Sequence, residues 1–561
     1  ASAHGQQDVV GLWHAKGRFG PDGAGPLRVE RVDGAWRAFI RGHLVPVRVA
    51  ADSVSFELPD GSGTYIGALD AARTRVTGHW IQPRTVTDGL RFASPLVLRG
   101  CGADCFEGTV SPREDAFTFF LHIAPRADGT HGVLLRNPER NLARFIRVHR
   151  AESDSSGVRL LDRADSVLAR GPLRDGVMSI YIPNRGGSYD FRRVPEDAFT
   201  WFYPRGRPSA SYRYGPPRDE GDGWRVGTLD EVGIAADGIS RLMESVANAS
   251  ADSLGALRLH GLLIARYGRL VLEEYFHGEH GEKPHDTRSA SKTVATVLLG
   301  AAMHAGVQIS PETPVYAVMR PGARDLDARK RALTLDHLLN MSSGYDCDDN
   351  SDDDRPGNET AITDQDENPD WFGMILDLDV VREPGAQAVY CSINPALAGG
   401  VLSRVAGRSV PDLMYELVGE PLGMRGYYVP LTPLGDGYFG GGWRFRPRDF
   451  MKLGQLYLDG GTWNGRRVLS EAWVRRSTEP RYAMSATSRY GSLWWMREYP
   501  YAGRTVQAYY ASGNGGQVVV VIPALDLVIA AYGGNYAERA GGLMVSELIP
   551  RYILPAVRED G

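Results

Sequence analysis

Residues 287–299 decide the fold, and they read Thr287-Arg288-Ser289-Ala290-Ser291-Lys292 followed by Thr293-Val294-Ala295-Thr296-Val297-Leu298-Leu299. The apolar run predicts a buried helix that opens at this stretch. Because residues three apart share one helix face, Ser289 Oγ and Lys292 Nζ can meet within one turn. A lysine accepts a hydroxyl proton only as a neutral amine, which apolar burial and a helix N-terminus both favour. The pattern predicts a nucleophile and its base; the alternative is a helix-capping serine beside a lysine that reaches to solvent.

Three more segments accompany this pair further along the chain. They are Leu333-Thr334-Leu335-Asp336-His337-Leu338-Leu339-Asn340-Met341-Ser342-Ser343-Gly344, Val389-Tyr390-Cys391-Ser392-Ile393-Asn394 and Asp449-Phe450-Met451-Lys452-Leu453-Gly454. With the Ser-x-x-Lys stretch they resemble the serine β-lactamase-like hydrolases, the fold of class C β-lactamases and penicillin-binding proteins. The resemblance implies an acyl-enzyme mechanism that needs no metal or organic cofactor.

The resemblance also implies a role for Tyr390. A tyrosine relays a proton between nucleophile and leaving group when a neighbouring ammonium stabilises its phenolate, and Lys292 is the expected neighbour. Ser392 stands where penicillin-recognising members have Asn, which weakens any β-lactam activity. The alternative for Tyr390 is an ordinary half-buried aromatic.

A third element is expected on a strand that edges the site. Residues 509–517 read Tyr509-Tyr510-Ala511-Ser512-Gly513-Asn514-Gly515-Gly516-Gln517 and precede the apolar run Val518 to Ile522. They resemble the family's Lys/His-Thr-Gly strand, with Ala511 where a cation normally binds a substrate carboxylate, which favours neutral or differently charged esters and amides. The N–H groups of Ser289 and Asn514 are expected to hold the oxyanion, and Ser512 and Gly513 to border the substrate. A plain Gly-rich hairpin is the alternative.

A subgroup is more similar still: the 6-aminohexanoate-oligomer hydrolases and family VIII-type carboxylesterases. The shared features are the Tyr-x-Ser element and a loop like Ser343-Gly344-Tyr345-Asp346-Cys347-Asp348-Asp349. This resemblance implies that Tyr345, Trp371 and Ser392 contact substrate, although large aromatics in such loops equally serve packing. The aspartates from Asp346 to Asp354 form either a solvated acidic loop or a calcium site.

The length of 561 residues exceeds what one core usually supports and predicts at least two domains. Residues 1–205 alternate apolar and polar residues with Asp-Gly punctuation, which predicts an all-β, barrel-like domain. Its motifs Gly11-Leu12-Trp13 and Gly78-His79-Trp80 look lipocalin-like. Residues 206–228, rich in Pro, Gly and Arg, predict a linker. Strands at both ends of residues 229–561 with helices between them predict an α+β sandwich whose antiparallel sheet pairs its first and last strands.

The composition and the motifs limit the classes of binding partner that the sequence predicts. With 63 Lys and Arg against 68 Asp and Glu, the net charge of -5 gives no reason to expect nucleic acid. The longest apolar run, Val294 to Met303, is shorter than the roughly 20 residues of a membrane span. Motif patterns for a metal site, a dinucleotide or an α/β-hydrolase elbow are missing from the sequence, and His277 and His280 are interpreted as surface histidines.

The four cysteines allow three complete pairings. Cys101 and Cys105 can close a small loop in an oxidising compartment, and Cys347 and Cys391 can bond if both of their loops border the site. Reduced thiols are the alternative.

The sequence therefore predicts a serine hydrolase for ester or amide bonds, either a carboxylesterase or a 6-aminohexanoate-oligomer amidase. The alternatives are a penicillin-binding, D-amino-acid peptidase or β-lactamase activity, or an inactive binding protein of the same fold. A periplasmic or secreted location is expected from the resemblance and from a first residue, Ala1, that is not Met. The oligomeric state, the exact substrate and the role of the N-terminal domain stay open.

Overall fold

The structure, a computed structural model, describes residues 8–21, 23–84, 89–113, 116–139, 147–182, 187–207 and 211–559. The N-terminal part is built from strands joined by turns. These strands are β1 (Gly11–Arg18), β2 (Gly25–Val32), β3 (Ala35–Ile40), β4 (His43–Pro46), β5 (Arg48–Ala50), β6 (Ser53–Glu57), β7 (Thr64–Leu69), β8 (Arg75–Gln82), β9 (Arg91–Gly102), β10 (Cys105–Val110), β11 (Ala116–Pro125), β12 (His131–Arg136), β13 (Arg150–Asp154), β14 (Gly157–Leu161), β15 (Val167–Gly171), β16 (Leu173–Arg174), β17 (Val177–Ile182) and β18 (Gly187–Val194).

Strands β2–β10 form one antiparallel sheet in the order β4-β3-β2-β10-β9-β8-β7-β6-β5. Only Val47 separates β4, which pairs with β3, from β5, which pairs with β6. One bent strand therefore joins both ends of the sheet, and the sheet closes on itself. Its interior is apolar and contains the buried rings of Phe56, Tyr65 and Trp80. We term this unit the first barrel.

Strands β1 and β11–β18 form a second closed sheet in the order β15-β14-β13-β12-β11-β1-β18-β17-β16. Pro172 alone separates β15 from β16, and the Ser179 N–H of β17 donates to the Pro172 carbonyl at 3.0 Å, so this sheet closes in the same way. It has its own core, which includes Trp13, Phe119 and Phe191. We term this unit the second barrel.

The all-β character expected for residues 1–205 is confirmed over the part of that range that the structure describes, but the single barrel is corrected to two. Gly11-Leu12-Trp13 lies in β1 of the second barrel, whereas Gly78-His79-Trp80 lies in β8 of the first. The physical reason is long-range pairing, since β1 leaves its sequence neighbours and pairs with β11, with Gly11 opposite Ile123. The two motifs that look lipocalin-like thus do not belong to one barrel.

The C-terminal part, which holds the predicted catalytic residues and is termed the catalytic domain below for that reason, mixes strands and helices. Its strands are β19 (Arg225–Val226), β20 (Leu259–Arg266), β21 (Arg269–Tyr275), β22 (His285–Asp286), β23 (Tyr427–Leu431), β24 (Arg444–Phe445), β25 (Thr462–Trp463), β26 (Arg466–Arg467), β27 (Tyr482–Ala483), β28 (Arg489–Gly491), β29 (Trp494–Tyr501), β30 (Arg504–Gly513), β31 (Gln517–Ile522) and β32 (Leu527–Gly533). Its helices are α1 (Ala236–Ala247), α2 (Thr293–His304), α3 (Val315–Met319), α4 (Ala328–Ala332), α5 (Leu335–Leu339), α6 (Glu359–Thr363), α7 (Trp371–Asp377), α8 (Ile393–Ala406), α9 (Val410–Met414), α10 (Pro447–Leu458), α11 (Glu471–Ser477) and α12 (Leu554–Ala556). A π-helical turn, Met544–Ile553, leads into α12.

The central sheet of this domain has the order β19-β21-β20-β32-β31-β30-β29-β28-β27. Strand β20 pairs with β32, so the predicted pairing of the first and last long strands is confirmed. In β31, Val518 and Val520 pack with α1 in one core, and Val519 and Val521 pack with α2 in another. A strand buried on both faces requires this unbroken apolar run.

Residues 211–226 pack on the catalytic domain. Tyr212 is buried in the core on the α1 side of the sheet and Trp224 in the core on the α2 side. The Trp224 indole N–H donates to the Arg448 carbonyl at 3.3 Å. The boundaries 1–205, 206–228 and 229–561 stay a prediction.

Three histidines are buried beside the second barrel: His260, His277 and His285, which are 1%, 2% and 7% exposed. His260 Nδ1 lies 2.8 Å from His285 Nε2, and the rings of His260 and His277 are 6.1 Å apart. Burial lowers the pKa of all three. The surface position expected for His277 is therefore wrong, because its backbone N–H donates to the Pro204 carbonyl and the preceding chain covers it. We term this set the histidine cluster.

None of the helices in the described ranges is both long and apolar enough to cross a membrane.

Candidate active site

The stretch that contains the predicted nucleophile, termed the nucleophile turn, is a short helical turn. Residues Arg288–Lys292 form a 3-10 turn that continues into α2, whose residues Thr293 to Ala302 are all buried. Lys292 Nζ donates a hydrogen bond to Ser289 Oγ at 2.9 Å. Lys292 is 1% exposed, whereas Ser289 is half-buried. The structure thus brings together the two groups that the spacing predicts to meet.

The backbone around this turn is held by the segment before β24. The N–H and Oγ1 of Thr287 both donate to the Trp443 carbonyl, at 3.1 and 2.6 Å. Ser291 Oγ donates to the Arg288 carbonyl at 2.8 Å and accepts from the Trp443 N–H at 3.3 Å. Ser291 therefore has a structural part, and Ser289 is the serine of this turn that reaches the cavity.

The Nζ atom of Lys292 has three neighbours. It donates to Ser289 Oγ and to the Gly440 carbonyl, and it lies 5.2 Å from the centre of the Tyr390 ring. A buried lysine with two acceptors and an aromatic face is held in one position, because each lost contact would leave a polar group unsatisfied. This arrangement fixes Nζ beside the serine hydroxyl.

Tyr390 is fixed through the chain on either side of it. Its carbonyl accepts from the Asp349 N–H at 2.9 Å, and the Ser392 N–H donates to Asp349 Oδ2 at 2.6 Å. A disulfide joins Cys347 to Cys391, with 6.1 Å between their Cα atoms. The structure also bonds Cys101 to Cys105 in the first barrel. The loop at 347–349 and the start of α8 are thereby locked together beside Lys292.

Strand β30 ends directly against the nucleophile turn. An ideal Cβ on Gly513 would lie 2.4 Å from the Thr287 carbonyl oxygen and 2.9 Å from the Ala290 nitrogen, so this position leaves room for hydrogen alone. Asn514, the next residue, lines the same cavity as Ser289. Asn514 Oδ1 accepts from the Ala537 N–H at 2.6 Å, which holds the turn. The close approach of backbone to backbone is what an oxyanion site built from two N–H groups requires.

Ser289 opens into a cavity of about 530 Å³. One wall comes from α6 and α7, where Glu359 Oε1 accepts from Tyr438 Oη at 2.5 Å and Trp371 stands edge-on to Tyr438 at 5.5 Å. The glycines Gly440, Gly441 and Gly442 line the cavity beside Ser289. The cavity size suits a ligand of the size of a typical small-molecule substrate.

Comparison with known proteins places this geometry in a family. The family model described as Beta-lactamase matches residues 246–533. The chain belongs to the beta-lactamase family. A 6-aminohexanoate-dimer hydrolase from Paenarthrobacter ureafaciens is 27% identical over 217 residues, which cover 38% of this chain and 55% of that protein. The chain thus spans little more than half the length of that curated relative.

Solved structures show similarity at lower identity. A family VIII carboxylesterase is 17% identical, with a TM-score of 0.43 over 58% of this chain and 98% of that one. A penicillin-binding protein homologue from Caulobacter crescentus is also 17% identical, with a TM-score of 0.41 over 53% of this chain and 91% of that one.

The structure buries two of the residues that are expected to contact substrate in this beta-lactamase-family domain. Tyr345 is 1% exposed, and its Oη lies 3.1 Å from that of Tyr316, which donates to the Leu376 carbonyl. The chain reverses at Gly344, which has a positive φ of 81°, and the Tyr345 ring turns into the core instead of the cavity. Ser392 is also 1% exposed and sits at the start of α8.

The other residues expected to contact substrate lie at the cavity or beside the nucleophile turn. Trp371 lines the cavity although it is 3% exposed. Ser512 and Gly513 are half-buried at the end of β30, next to the nucleophile turn. Two carboxylates of the acidic loop bond to other groups of the protein. Asp346 pairs with Arg355 at 2.9 Å, and Asp349 accepts hydrogen bonds from two backbone N–H groups. Among the described residues, His, Cys, Asp and Glu side chains form no group of three or more able to hold a metal.

Sequence reasoning missed Glu359, Tyr438 and Gly440–Gly442 as cavity residues. The run Gly440-Gly441-Gly442 was a usable signal, because consecutive glycines often mark a close backbone approach. An ideal Cβ on Gly441 would lie 3.3 Å from the Arg288 carbonyl carbon, which confirms that this run passes beside the nucleophile turn. Glu359 offered no comparable sequence pattern.

Proposed function

We propose that this chain is a serine hydrolase that cleaves carboxylic ester or linear amide bonds through an acyl-enzyme on Ser289. The observation that carries the proposal is the 2.9 Å contact between Lys292 Nζ and Ser289 Oγ at the edge of a cavity that Asn514 also lines. The family membership and the similarity to a 6-aminohexanoate-dimer hydrolase support the same reaction class.

In the acylation step, Ser289 Oγ attacks the substrate carbonyl carbon while its proton passes to the neutral amine of Lys292. The N–H groups of Ser289 and Asn514 stabilise the negative oxygen of the tetrahedral intermediate. The bond from carbonyl carbon to the leaving oxygen or nitrogen then breaks. The leaving group takes a proton from Lys292 through the Tyr390 hydroxyl and departs as an alcohol or amine.

Deacylation repeats these steps with water. Water attacks the carbonyl carbon of the acyl group on Ser289 and passes one proton through Tyr390 to Lys292. The second tetrahedral intermediate uses the same two N–H groups, and its collapse releases a carboxylic acid and returns the proton to Ser289 Oγ. The resting Ser289–Lys292 contact is thereby restored.

The strand beside the site favours esters and linear amides over penicillins. Ala511, at the position where the family resemblance places a cation, is an uncharged residue that is 1% exposed. A β-lactam carboxylate would lose that partner, whereas an ester or an internal amide has no such charge to pair. The proposed substrates are carboxylic esters and oligomers of linear ω-amino acids.

Labelling of Ser289 tests the proposal. Wild-type protein is treated with a fluorophosphonate, and the modified peptide is identified by mass spectrometry. Esters of p-nitrophenol, linear 6-aminohexanoate oligomers and nitrocefin are assayed in parallel. We expect a label on Ser289, turnover of at least one ester or linear amide, and loss of both in Ser289→Ala.

Ser291→Ala is the matched control, because Ser291 lies in the same turn but bonds to the backbone. A label that survives in Ser289→Ala would place the nucleophile elsewhere. A protein that no fluorophosphonate labels would instead be an inactive binding protein. Faster turnover of nitrocefin than of every ester and amide would favour a β-lactamase.

Both disulfides support an oxidising compartment, such as a periplasmic or extracellular space, as the place of action. Trapping free thiols with a maleimide in freshly lysed producing cells tests this. Four modified cysteines in the native protein would contradict it.

A further inference from the structure

The first barrel lines part of the active-site cavity. Arg84, Gly89, Leu90 and Phe92 border the same space as Ser289. Arg84 follows β8, and Phe92 lies in β9. Residues far outside the family match at 246–533 therefore face the nucleophile.

A continuous hydrogen-bonded ladder fixes this wall in place. Strand β9 pairs with β23, with Ala93 opposite Val429. Strand β23 pairs with β24, which in turn pairs with β22, with Arg444 opposite Asp286. Asp286 lies three residues before Ser289. The barrel is thus joined to the nucleophile turn by sheet pairing, which does not permit the freedom of two domains on a flexible linker.

Side chains reinforce the same junction. Arg75 donates to Tyr415 Oη at 2.6 Å and pairs with Glu420 at 2.9 Å. His79 Nδ1 lies 2.9 Å from Asp412 Oδ1. These contacts join β8 to the segment after α8, so two adjacent barrel strands are anchored to the catalytic domain.

The Phe92 ring connects the barrel wall to the charges beside the nucleophile. The guanidinium of Arg444 lies 5.6 Å from its centre. Arg444 also pairs with Asp286 at 3.4 Å, and Asp286 pairs with Arg288 at 3.3 Å. The barrel therefore contributes to the position of the polar groups next to Ser289.

At the rim of the cavity, Arg84 reaches across to the segment after α6. Its guanidinium pairs with Asp366 at 3.3 Å, with side chains 49% and 93% exposed. An ion pair this exposed contributes about 0–1 kcal/mol, so a substrate displaces it at little cost. Leu90 is half-buried and lines the same cavity, so it gives this part of the wall an aliphatic side chain.

We infer that the first barrel selects the part of the substrate that lies away from the scissile bond. Leu90 contacts an aliphatic chain of several carbons, and Arg84 lies where that chain reaches the rim. A short acyl group that fills only the space at Ser289 does not reach this wall. The inference rests on the proposed function and names the substrate class of the same site: esters or amides with an extended aliphatic portion.

Two fluorophosphonates that differ only in alkyl length, methyl and octyl, test the inference. Each transfers its phosphonyl group to Ser289 Oγ and releases fluoride. The readout is the ratio of the octyl to the methyl second-order labelling rate. We expect Leu90→Trp, which fills the wall with a larger ring, to lower this ratio at least tenfold, and Leu90→Ala to lower it about threefold.

Leu44→Trp is the matched control, because Leu44 lies on the same barrel but is 58% exposed and outside the cavity. Its ratio is expected to equal that of the wild type. Thermal unfolding identifies any variant that fails to fold. If Leu90→Trp fails to fold, the labelling ratios of Leu90→Ala and Arg84→Gln test the inference instead. A wild type that neither reagent labels overturns the proposed function. Labelled proteins whose ratio is the same in every Leu90 and Arg84 variant overturn this inference alone.

Discussion

The change Gly513→Ala adds one methyl group at the contact between β30 and the nucleophile turn. Its Cβ would lie 2.4 Å from the Thr287 carbonyl oxygen, while ordinary contacts begin near 3.4 Å, so the two backbones must separate by about 1 Å (3.4 minus 2.4). Both obstructing atoms, on Thr287 and Ala290, belong to the backbone, so no side-chain rotation relieves the clash. Overpacking of this kind costs roughly 1–3 kcal/mol of stability.

The separation moves the Asn514 N–H away from the Ser289 N–H. A misplacement of about 1 Å at a reacting centre can cost roughly 100-fold, and the loss of one oxyanion donor costs roughly 100- to 1000-fold. We therefore expect Gly513→Ala to lower kcat/KM about 100-fold or more. Its thermal unfolding midpoint should fall by only a few degrees, so the protein remains folded in the assay.

The assay measures ester or amide turnover together with thermal unfolding. Gly255→Ala is the matched control, because its nearest neighbour, Ser253 Oγ, is 3.9 Å from the ideal Cβ. That variant should keep wild-type kinetics. If Gly513→Ala retained more than a third of the wild-type kcat/KM with an unchanged unfolding midpoint, β30 could not lie against the turn as described, and the assignment of Asn514 would fall.

Three further outcomes are expected. Lys292→Met keeps an apolar chain but removes the base. The rate constant for acylation, measured in single-turnover kinetics, should therefore fall by roughly 100- to 10,000-fold while the fold persists. The Cys347–Cys391 bond closes a separation of 44 residues, so replacing both cysteines by serine should cost about 4 kcal/mol in urea unfolding by the chain-entropy relation, and an unchanged midpoint would contradict the bond. Burial lowers the pKa values of the histidine cluster below the ordinary 6.5, so below that pH the unfolded chain binds protons that the folded chain does not. Stability should stay level above pH 6.5 and fall by up to about 1.4 kcal/mol per histidine per pH unit below it, a loss that replacing a cluster histidine with glutamine should reduce in pH-dependent unfolding curves.

The sequence predicted those features that depend on local spacing. The pairing of Ser289 with Lys292 follows from helix geometry, which brings residues i and i+3 together wherever the helix lies. The apolar run from Val518 to Ile522 follows the strand predicted to edge the site, and it lies in β31, which is buried along its whole length. The pairing of β20 with β32 follows from strands at both ends of the domain with helices between them.

What the sequence could not predict depends on contacts between distant segments. The choice between one barrel and two is made by the pairing of β1 with β11 instead of β2, which is a contact between segments that lie far apart in the chain. The inward direction of Tyr345 depends on Tyr316, a residue on α3, because an aromatic side chain in a loop fits either the core or the cavity. The barrel wall at Leu90 depends on β9 meeting β23, which no motif marks.

The distribution of strong and weak contacts divides the site into a fixed floor and an adjustable rim. The floor, from Thr287 to Lys292, is held by buried side-chain hydrogen bonds that Thr287 and Lys292 donate to the Trp443 and Gly440 carbonyls, so a change there disturbs stability and catalysis together. The rim, where Arg84 meets Asp366, is held by an exposed ion pair worth at most about 1 kcal/mol. Substrate preference in this chain should therefore be altered most easily through barrel residues at the rim, since their exchange changes what the cavity accepts and leaves the position of Ser289 intact.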